Sequence, residues 1–108
     1  MEAFELDQVI AQHGKSGEAY HQFLSRGSLS LGLYVLPAEG DDPQSPHAED
    51  EVYYVVSGRA TIRVGDEDRP VQAGSMVFVA KNVPHRFHTI EEELRLLVFF
   101  APEHTPAA

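Results

Sequence analysis

The chain has 108 residues, 43% hydrophobic and 23% charged, with no cysteine and a formal net charge of -9. Such a length closes one hydrophobic core and not two, and the missing cysteines exclude disulfides, thiolate zinc sites and cysteine nucleophiles, leaving histidine and carboxylates as metal ligands. The acidic balance, with the Lys and Arg residues scattered rather than grouped, argues against nucleic acid as a partner.

Met1 to Ile10 mixes Glu2, Glu5 and Asp7 with single apolar residues and lacks the basic head and apolar stretch of a secretion signal, so a cytoplasmic protein is expected. No apolar run reaches the roughly 18 residues of a membrane span, and no membrane contact is expected. Phe4, Leu6, Val9 and Ile10 recur at helical spacing ahead of Gly14 and Gly17, which predicts a short amphipathic helix in an N-terminal segment, residues 1–19. From Tyr20 the texture changes to short runs of Val, Leu, Tyr and Phe cut by Gly, Pro, Asp and Asn. Eight strands are predicted: Tyr20 to Ser25, Ser28 to Leu36, Glu51 to Ser57, Arg59 to Val64, Arg69 to Gln72, Met76 to Val79, His85 to Thr89 and Leu94 to Phe100.

Ser57-Gly58, and Gly65-Asp66 with Glu67-Asp68, read as tight hairpin turns, and Gly40 to Pro46 as a loop that lifts the chain toward His47. Glu91-Glu92-Glu93 reads as a charged turn, and Pro102 to Ala108 as a loose, flexible tail. The pattern predicts a single all-β domain over residues 1–108, a double-sheet jelly roll whose barrel core spans about 20–101.

Strand alternation sets Glu51, Tyr53, Val55 and Ser57 on one face, with Val52, Tyr54 and Val56 on the other, and both faces look buried. A carboxylate heading such a strand either reaches solvent at the rim or needs a partner, since an unpaired buried charge is costly. His47, four residues upstream, falls on the same face if the chain stays extended. Asn82-Val83-Pro84 makes a turn that delivers His85 as the first residue of its own strand, with Phe87 and Thr89 inward behind it. If the two strand starts meet, two imidazoles and a carboxylate make a divalent-metal site with open coordination positions; apart, Glu51 is a solvated rim carboxylate and His85 a strand-end histidine. Tyr53, Phe87, Thr89 and Met76 are the candidate pocket residues nearest that site, with Phe78 in the same core. His13, His21, His88 and His104 read as structural or solvent-facing. Arg59, Arg63 and Arg95 alternate with apolar residues and suit either a dimer face or a substrate anchor.

Pro46-His47, Asp50-Glu51-Val52-Tyr53-Tyr54-Val55-Val56-Ser57-Gly58, Gly74 and Val83-Pro84-His85 together resemble the two-part signature of the cupin superfamily, over a stretch from about Ser28 to Phe100. The resemblance implies a cupin double-stranded β-helix, and assigns His47, Glu51 and His85 to a metal. The family's first histidine falls on Ser45, or on Gln44 at the longer spacing, so one ligand is missing and the Gln44 amide oxygen is a further candidate donor. Ala80 and Asn82 stand where the family turn has Pro and Gly, and Thr89 where it has Asn. The implied function is a metal-dependent enzyme, dioxygenase-like or isomerase-like, acting on a small organic molecule with iron, manganese, nickel or zinc. The alternative is a non-catalytic small-molecule binding or sensor cupin. Apolar residues on both faces of Glu51 to Ser57 and Leu94 to Phe100 suggest a surface covered in a homodimer.

Overall fold

The computed structural model describes residues 1–44 and 46–105. Helix α1 (Leu6–Ser16) is followed by strands β1 (Tyr20–Ser25), β2 (Ser30–Leu36), β3 (Asp50–Val64), β4 (Glu67–Gln72), β5 (Met76–Val79) and β6 (His85–Ala101). The helix forms where apolar spacing called for it, with Asp7 in its first turn and Lys15 in its last, charges that complement the helix dipole. Gly17, at φ 73, ends it in the left-handed conformation. The helix packs on β1 and β2 and buries Val9.

Every strand pairing is antiparallel, in the order β1-β2-β6-β3-β4 with β5 on the free side of β3. Six strands replace the eight expected among the described residues because two expected breaks do not break the chain. Ser57-Gly58 is a bend inside β3 rather than a hairpin. The β3–β6 register shifts between Val55 and Thr61, and Gly58 has φ 97. A β-carbon at Gly58 would lie 2.2 Å from the Glu93 carbonyl oxygen, so the two long strands cross too closely here for any side chain. Likewise Glu91-Glu92-Glu93 is the exposed middle of β6, not a turn. The Gly65-Asp66 turn does join the β3–β4 hairpin as expected.

The bends create two layers. The first half of β3 pairs with β5 and with Leu94 to Ala101 of β6; its second half pairs with β4 and with His85 to Glu92. Tyr34, Tyr53, Val55, Leu94, Leu96 and Val98 from one layer and Ala60, Ile62, Val71, Phe87 and Ile90 from the other fall in one buried cluster, so the layers close over a single core. This is the expected β-barrel with a short N-terminal helix.

The bends also change which residues face inward. Phe87 and Ile90 are both buried although three apart, and Thr89, at φ 50 between them, is exposed. On β5, Val77 and Val79 pair with Tyr53 and Glu51, which turns Met76 and Phe78 outward at 73% and 61% exposure. Of the described residues beyond the barrel, Glu103 accepts from the Ser25 hydroxyl and from the Gly27 amide, and the His104 amide donates to Ser30 Oγ at 2.9 Å. Positions 106–108, predicted loose as well, lie outside the described residues.

Candidate metal centre

Glu51, the second residue of β3, is 2% exposed although the apolar run Val52 to Val56 follows it. His85 opens β6 in the opposite layer and is buried. Closure of the layers brings His85 Nε2 to 2.7 Å from Glu51 Oε1. His47 lies at the end of the β2–β3 connection, and its backbone carbonyl accepts the Asn82 amide at 2.7 Å. The neighbouring Lys81 amide donates to Asp50 Oδ1 at 2.9 Å, so the segment leading to Glu51 and the turn leading to His85 are tied together. Asn82 has φ 65, a conformation open to asparagine as to few other side chains, which explains how the turn keeps its shape without the family's glycine. The three residues that the sequence proposed as ligands are thus assembled: their ligand atoms lie within 4.8 Å of one another.

His85 Nδ1 donates to the Val83 carbonyl at 2.9 Å, and a carbonyl can only accept, so in the neutral ring the lone pair is on Nε2. That lone pair faces a carboxylate. With the ring neutral, His85 Nε2 and both Glu51 oxygens are buried with no hydrogen-bond partner among the described residues. Three buried acceptor atoms pointing together without donors are unfavourable by themselves, and a divalent cation that takes nitrogen and oxygen ligands fits them. Burial lowers the His47 pKa, with the Glu51 charge opposing and His104 and His85 assisting, so this ring stays neutral. Burial also acts to lower that of His85, but the adjoining Glu51 carboxylate, the Val83 carbonyl and the charge of Asp42 outweigh it and the net shift is upward.

Gln44 turns inward. Its Oε1 accepts from the Tyr53 hydroxyl at 3.0 Å and lies 3.0 Å from His47 Nε2, while its Nε2 donates to Asp42 Oδ2 at 2.5 Å. A carboxylate cannot donate, so the amide orientation is fixed with its oxygen toward the candidate ligands. Asp42, which carried no signal in the sequence beyond its place in a Pro-rich loop, organises this corner: buried, it also accepts from the Tyr34 hydroxyl at 2.6 Å and the Phe87 amide at 2.9 Å. Ser45, the other position aligned with the family's first histidine, lies outside the described residues.

Beside these groups is a cavity of about 150 Å³ whose lining includes Tyr20, Tyr34, Gln44, His47, Glu51 and Tyr53, with Val98, Phe100 and His104 completing it. Of the expected pocket residues, Tyr53 lines the cavity. Phe87 stands behind it with ring centroids 4.9 Å apart, while Thr89 and Met76 are turned out by the bend in β6 and the register of β5. Burial, then the charge of Glu51, raises the Tyr53 and Tyr20 pKa values, and burial with Asp42 raises that of Tyr34. All three phenols therefore remain hydrogen-bond donors. The Tyr20 hydroxyl is buried without a partner. Its ring lies over Gly32, where a β-carbon would come within 2.2 Å of the ring, so the glycine makes room for this wall of the cavity. His104, read from the sequence as outside the site, lines the cavity too, stacked on Phe100 at 4.5 Å and 5.0 Å from the His47 ring. Its distance along the chain from the signature gave no spacing to find it by.

Known proteins share this architecture. An uncharacterized protein of Streptomyces coelicolor is 52% identical over 102 residues, spanning 94% of this chain and 97% of that protein. A crystal structure from Thermus thermophilus matches with a TM-score of 0.79 at 26% identity, covering 95% of this chain and 99% of the other. Two further structures share the fold at lower identity. KdgF from Halomonas sp. has a TM-score of 0.70 at 17% identity, covering 77% of this chain and 76% of its own. The DMSP lyase DddQ from Ruegeria pomeroyi has a TM-score of 0.69 at 21%, covering 81% of this chain and 49% of its own. Residues 32–100, which run from β2 through the cavity-lining half of β6 and contain all three candidate ligands, match the cupin domain family, and the chain belongs to the cupin superfamily.

Proposed function

We propose that this cupin is a metal-dependent enzyme, dioxygenase-like or isomerase-like, acting on a small organic molecule, with His47, Glu51 and His85 holding iron, manganese, nickel or zinc. The observation that carries this reading is the convergence of His85 Nε2 and both Glu51 oxygens, all buried and unpartnered, beside a cavity. A divalent ion at that point supplies Lewis acidity and open coordination positions.

The chain's own groups then set what enters. A cavity near 150 Å³ accommodates a molecule about the size of benzene, and no Lys or Arg is among the described residues that line it. The buried Tyr20 hydroxyl offers an unused donor to an oxygen of the ligand, and Gln44, held by Asp42 and Tyr53, faces the same space. The substrate class is a small, largely apolar molecule that reaches the metal through oxygen atoms. The lyase named among the structural neighbours is in keeping with small-molecule chemistry in this fold.

The outer face of the sheet carries Met76 and Phe78 with Val52, Tyr54, Leu97 and Phe99 alongside, a continuous apolar strip across β5, β3 and β6. We infer that a second copy of the chain covers it in a homodimer.

Elemental mass spectrometry of the purified protein, beside His47→Ala and His85→Ala variants prepared identically, tests the metal reading. Near-stoichiometric metal in the parent and its loss in both variants is the expected result. No metal after reconstitution with each of the four candidates overturns it and leaves the non-catalytic ligand-binding barrel as the function.

A further inference from the structure

His104 reaches the cavity from beyond the barrel, on the segment that follows β6, and stands apart from the metal centre. Two sets of side chains bring metal-binding atoms within 4.8 Å of one another, His47 with Glu49 and His104, and His47 with Glu51 and His85. Among the described residues no set joins His104 to Glu51 or His85, so His104 belongs to the part of the cavity wall away from the point where those two meet.

Its Nδ1 meets Glu49 Oε1 at 2.6 Å. An ionised carboxylate accepts only, so in the neutral ring the proton is on Nδ1 and the lone pair is on Nε2. Glu49 is buried and lies outside the lining of the cavity, whereas His104 is part of it. The Nδ1 edge of the ring is thus turned out of the cavity, and Nε2, whose lone pair diverges from the Nδ1–H bond by more than a right angle, is turned back toward it. Among the described residues no donor meets Nε2. The ring is stacked on Phe100 with centroids 4.5 Å apart, and the His104 amide donates to Ser30 Oγ at 2.9 Å, so its orientation is set before any ligand arrives.

The remaining polar groups of this lining are donors or are already engaged. The Tyr34 hydroxyl donates to Asp42, the Tyr53 hydroxyl donates to Gln44, and the Tyr20 hydroxyl is an unused donor. Apart from Gln44 and the candidate ligands, His104 Nε2 is the side-chain acceptor that a bound molecule meets among the described residues. A fixed acceptor in an aromatic-walled cavity discriminates: a ligand able to donate satisfies it, and one of the same shape without a donor leaves it desolvated and unpaired.

We propose that His104 is a specificity-determining residue whose Nε2 accepts a hydrogen bond from a hydroxyl group at the end of the ligand away from Glu51 and His85. The cavity then selects small hydroxyl-bearing molecules over equally apolar ones that have no donor. This inference rests on the reading above that the cavity holds a small organic molecule.

The test is a binding cycle on the full chain with Zn²⁺ present, so that Glu51 and His85 are not left as competing acceptors. The probes are phenol and fluorobenzene, both about the size of benzene, of which only phenol can donate a hydrogen bond. The proteins are the parent and His104→Phe, which keeps a ring against Phe100 but has no acceptor. Fluorobenzene is followed by fluorine NMR, and phenol by its displacement of fluorobenzene. Phenol should bind about tenfold more tightly than fluorobenzene to the parent. That preference should disappear in His104→Phe while fluorobenzene affinity stays at the parent's value. Thermal unfolding verifies that the variant is folded, and if His104→Phe does not fold, His104→Leu takes its place. A phenol preference equal in the parent and in a folded variant, or absent from the parent, overturns the role of His104 and leaves the cavity as the ligand site. Failure of both probes to bind the parent overturns the cavity reading and this inference with it. Zn²⁺ retention measured on the same samples reads the metal proposal separately.

Discussion

His85 Nε2 and Glu51 Oε1 lie 2.7 Å apart inside the barrel, two facing acceptors when the His85 ring is neutral and an ion pair when it is protonated. The two residues come from opposite layers, so the approach is a product of barrel closure. Glu51 is hence a burden on the metal-free fold. Glu51→Gln removes the buried charge and gives His85 an amide that can donate to its lone pair. The expected outcome is a metal-free protein more stable by about 1–3 kcal/mol, an increase of several degrees in Tm, that gains nothing further from added metal. Differential scanning calorimetry with and without Zn²⁺ measures both. A variant that is less stable than the parent and still stabilised by the ion would mean that the carboxylate serves the fold and not a ligand.

Proton and metal compete for His85 Nε2, and the sign of that competition is fixed by the upward pKa shift. In the metal-free protein the folded state holds this proton more tightly than the unfolded chain. The resulting stabilisation is full below the ordinary value of 6.5 and disappears as pH rises through the higher folded-state value. Metal affinity should run the other way, increasing across that interval as the proton leaves. Chelator competition for Co²⁺ at a series of pH values, set beside the stability difference between parent and His85→Gln, reads the two slopes. Parallel slopes, or an affinity flat with pH, would show that His85 is not the group being displaced.

Asp42 joins three elements: the Tyr34 hydroxyl of β2, the Phe87 amide of β6 and the Gln44 amide group of the connecting loop. Asp42→Ala leaves a buried hydroxyl and a buried amide without their acceptor. The expected loss is about 2–4 kcal/mol of stability, together with weaker metal binding because Gln44 is released. Urea unfolding and Co²⁺ titration of the variant check the two effects. Unchanged stability would place Asp42 outside the framework of the site.

The exposed phenyl ring of Phe78 sits in the middle of the outer apolar strip. Phe78→Glu puts a charge there without touching the cavity, since Phe78 points away from the core. The parent should sediment as a dimer and the variant as a folded monomer in analytical ultracentrifugation. A monomeric parent, or a variant that remains dimeric, removes this face from consideration as the interface.

The sequence by itself determined the class of fold and the three candidate ligands His47, Glu51 and His85. Alternating Val, Tyr and Leu between Gly and Pro turns dictates antiparallel strands, and a Glu heading an apolar strand with a His four residues before it is unusual enough to mark a site. His85 was found because Val83-Pro84 positions it at a strand start as Glu51 is positioned at its own. Barrel closure decided the rest. Alternation along the sequence reads Gly58 as a turn residue and Thr89 as an inward side chain, yet both are places where a long strand bends, and a bend reverses the alternation from which inward faces are inferred. That reversal exposes Thr89 and buries Ile90, while the pairing of β5 with β3 exposes Met76. Asp42, Tyr20, Glu49 and His104 had no local signature, because their place in the site depends on contacts between distant segments: Asp42 with Phe87, Glu49 with His104, the Tyr20 ring over Gly32. Periodicity is a local property of the chain and records which way a side chain points along one strand, whereas a cavity is made by what the other strands bring to meet it.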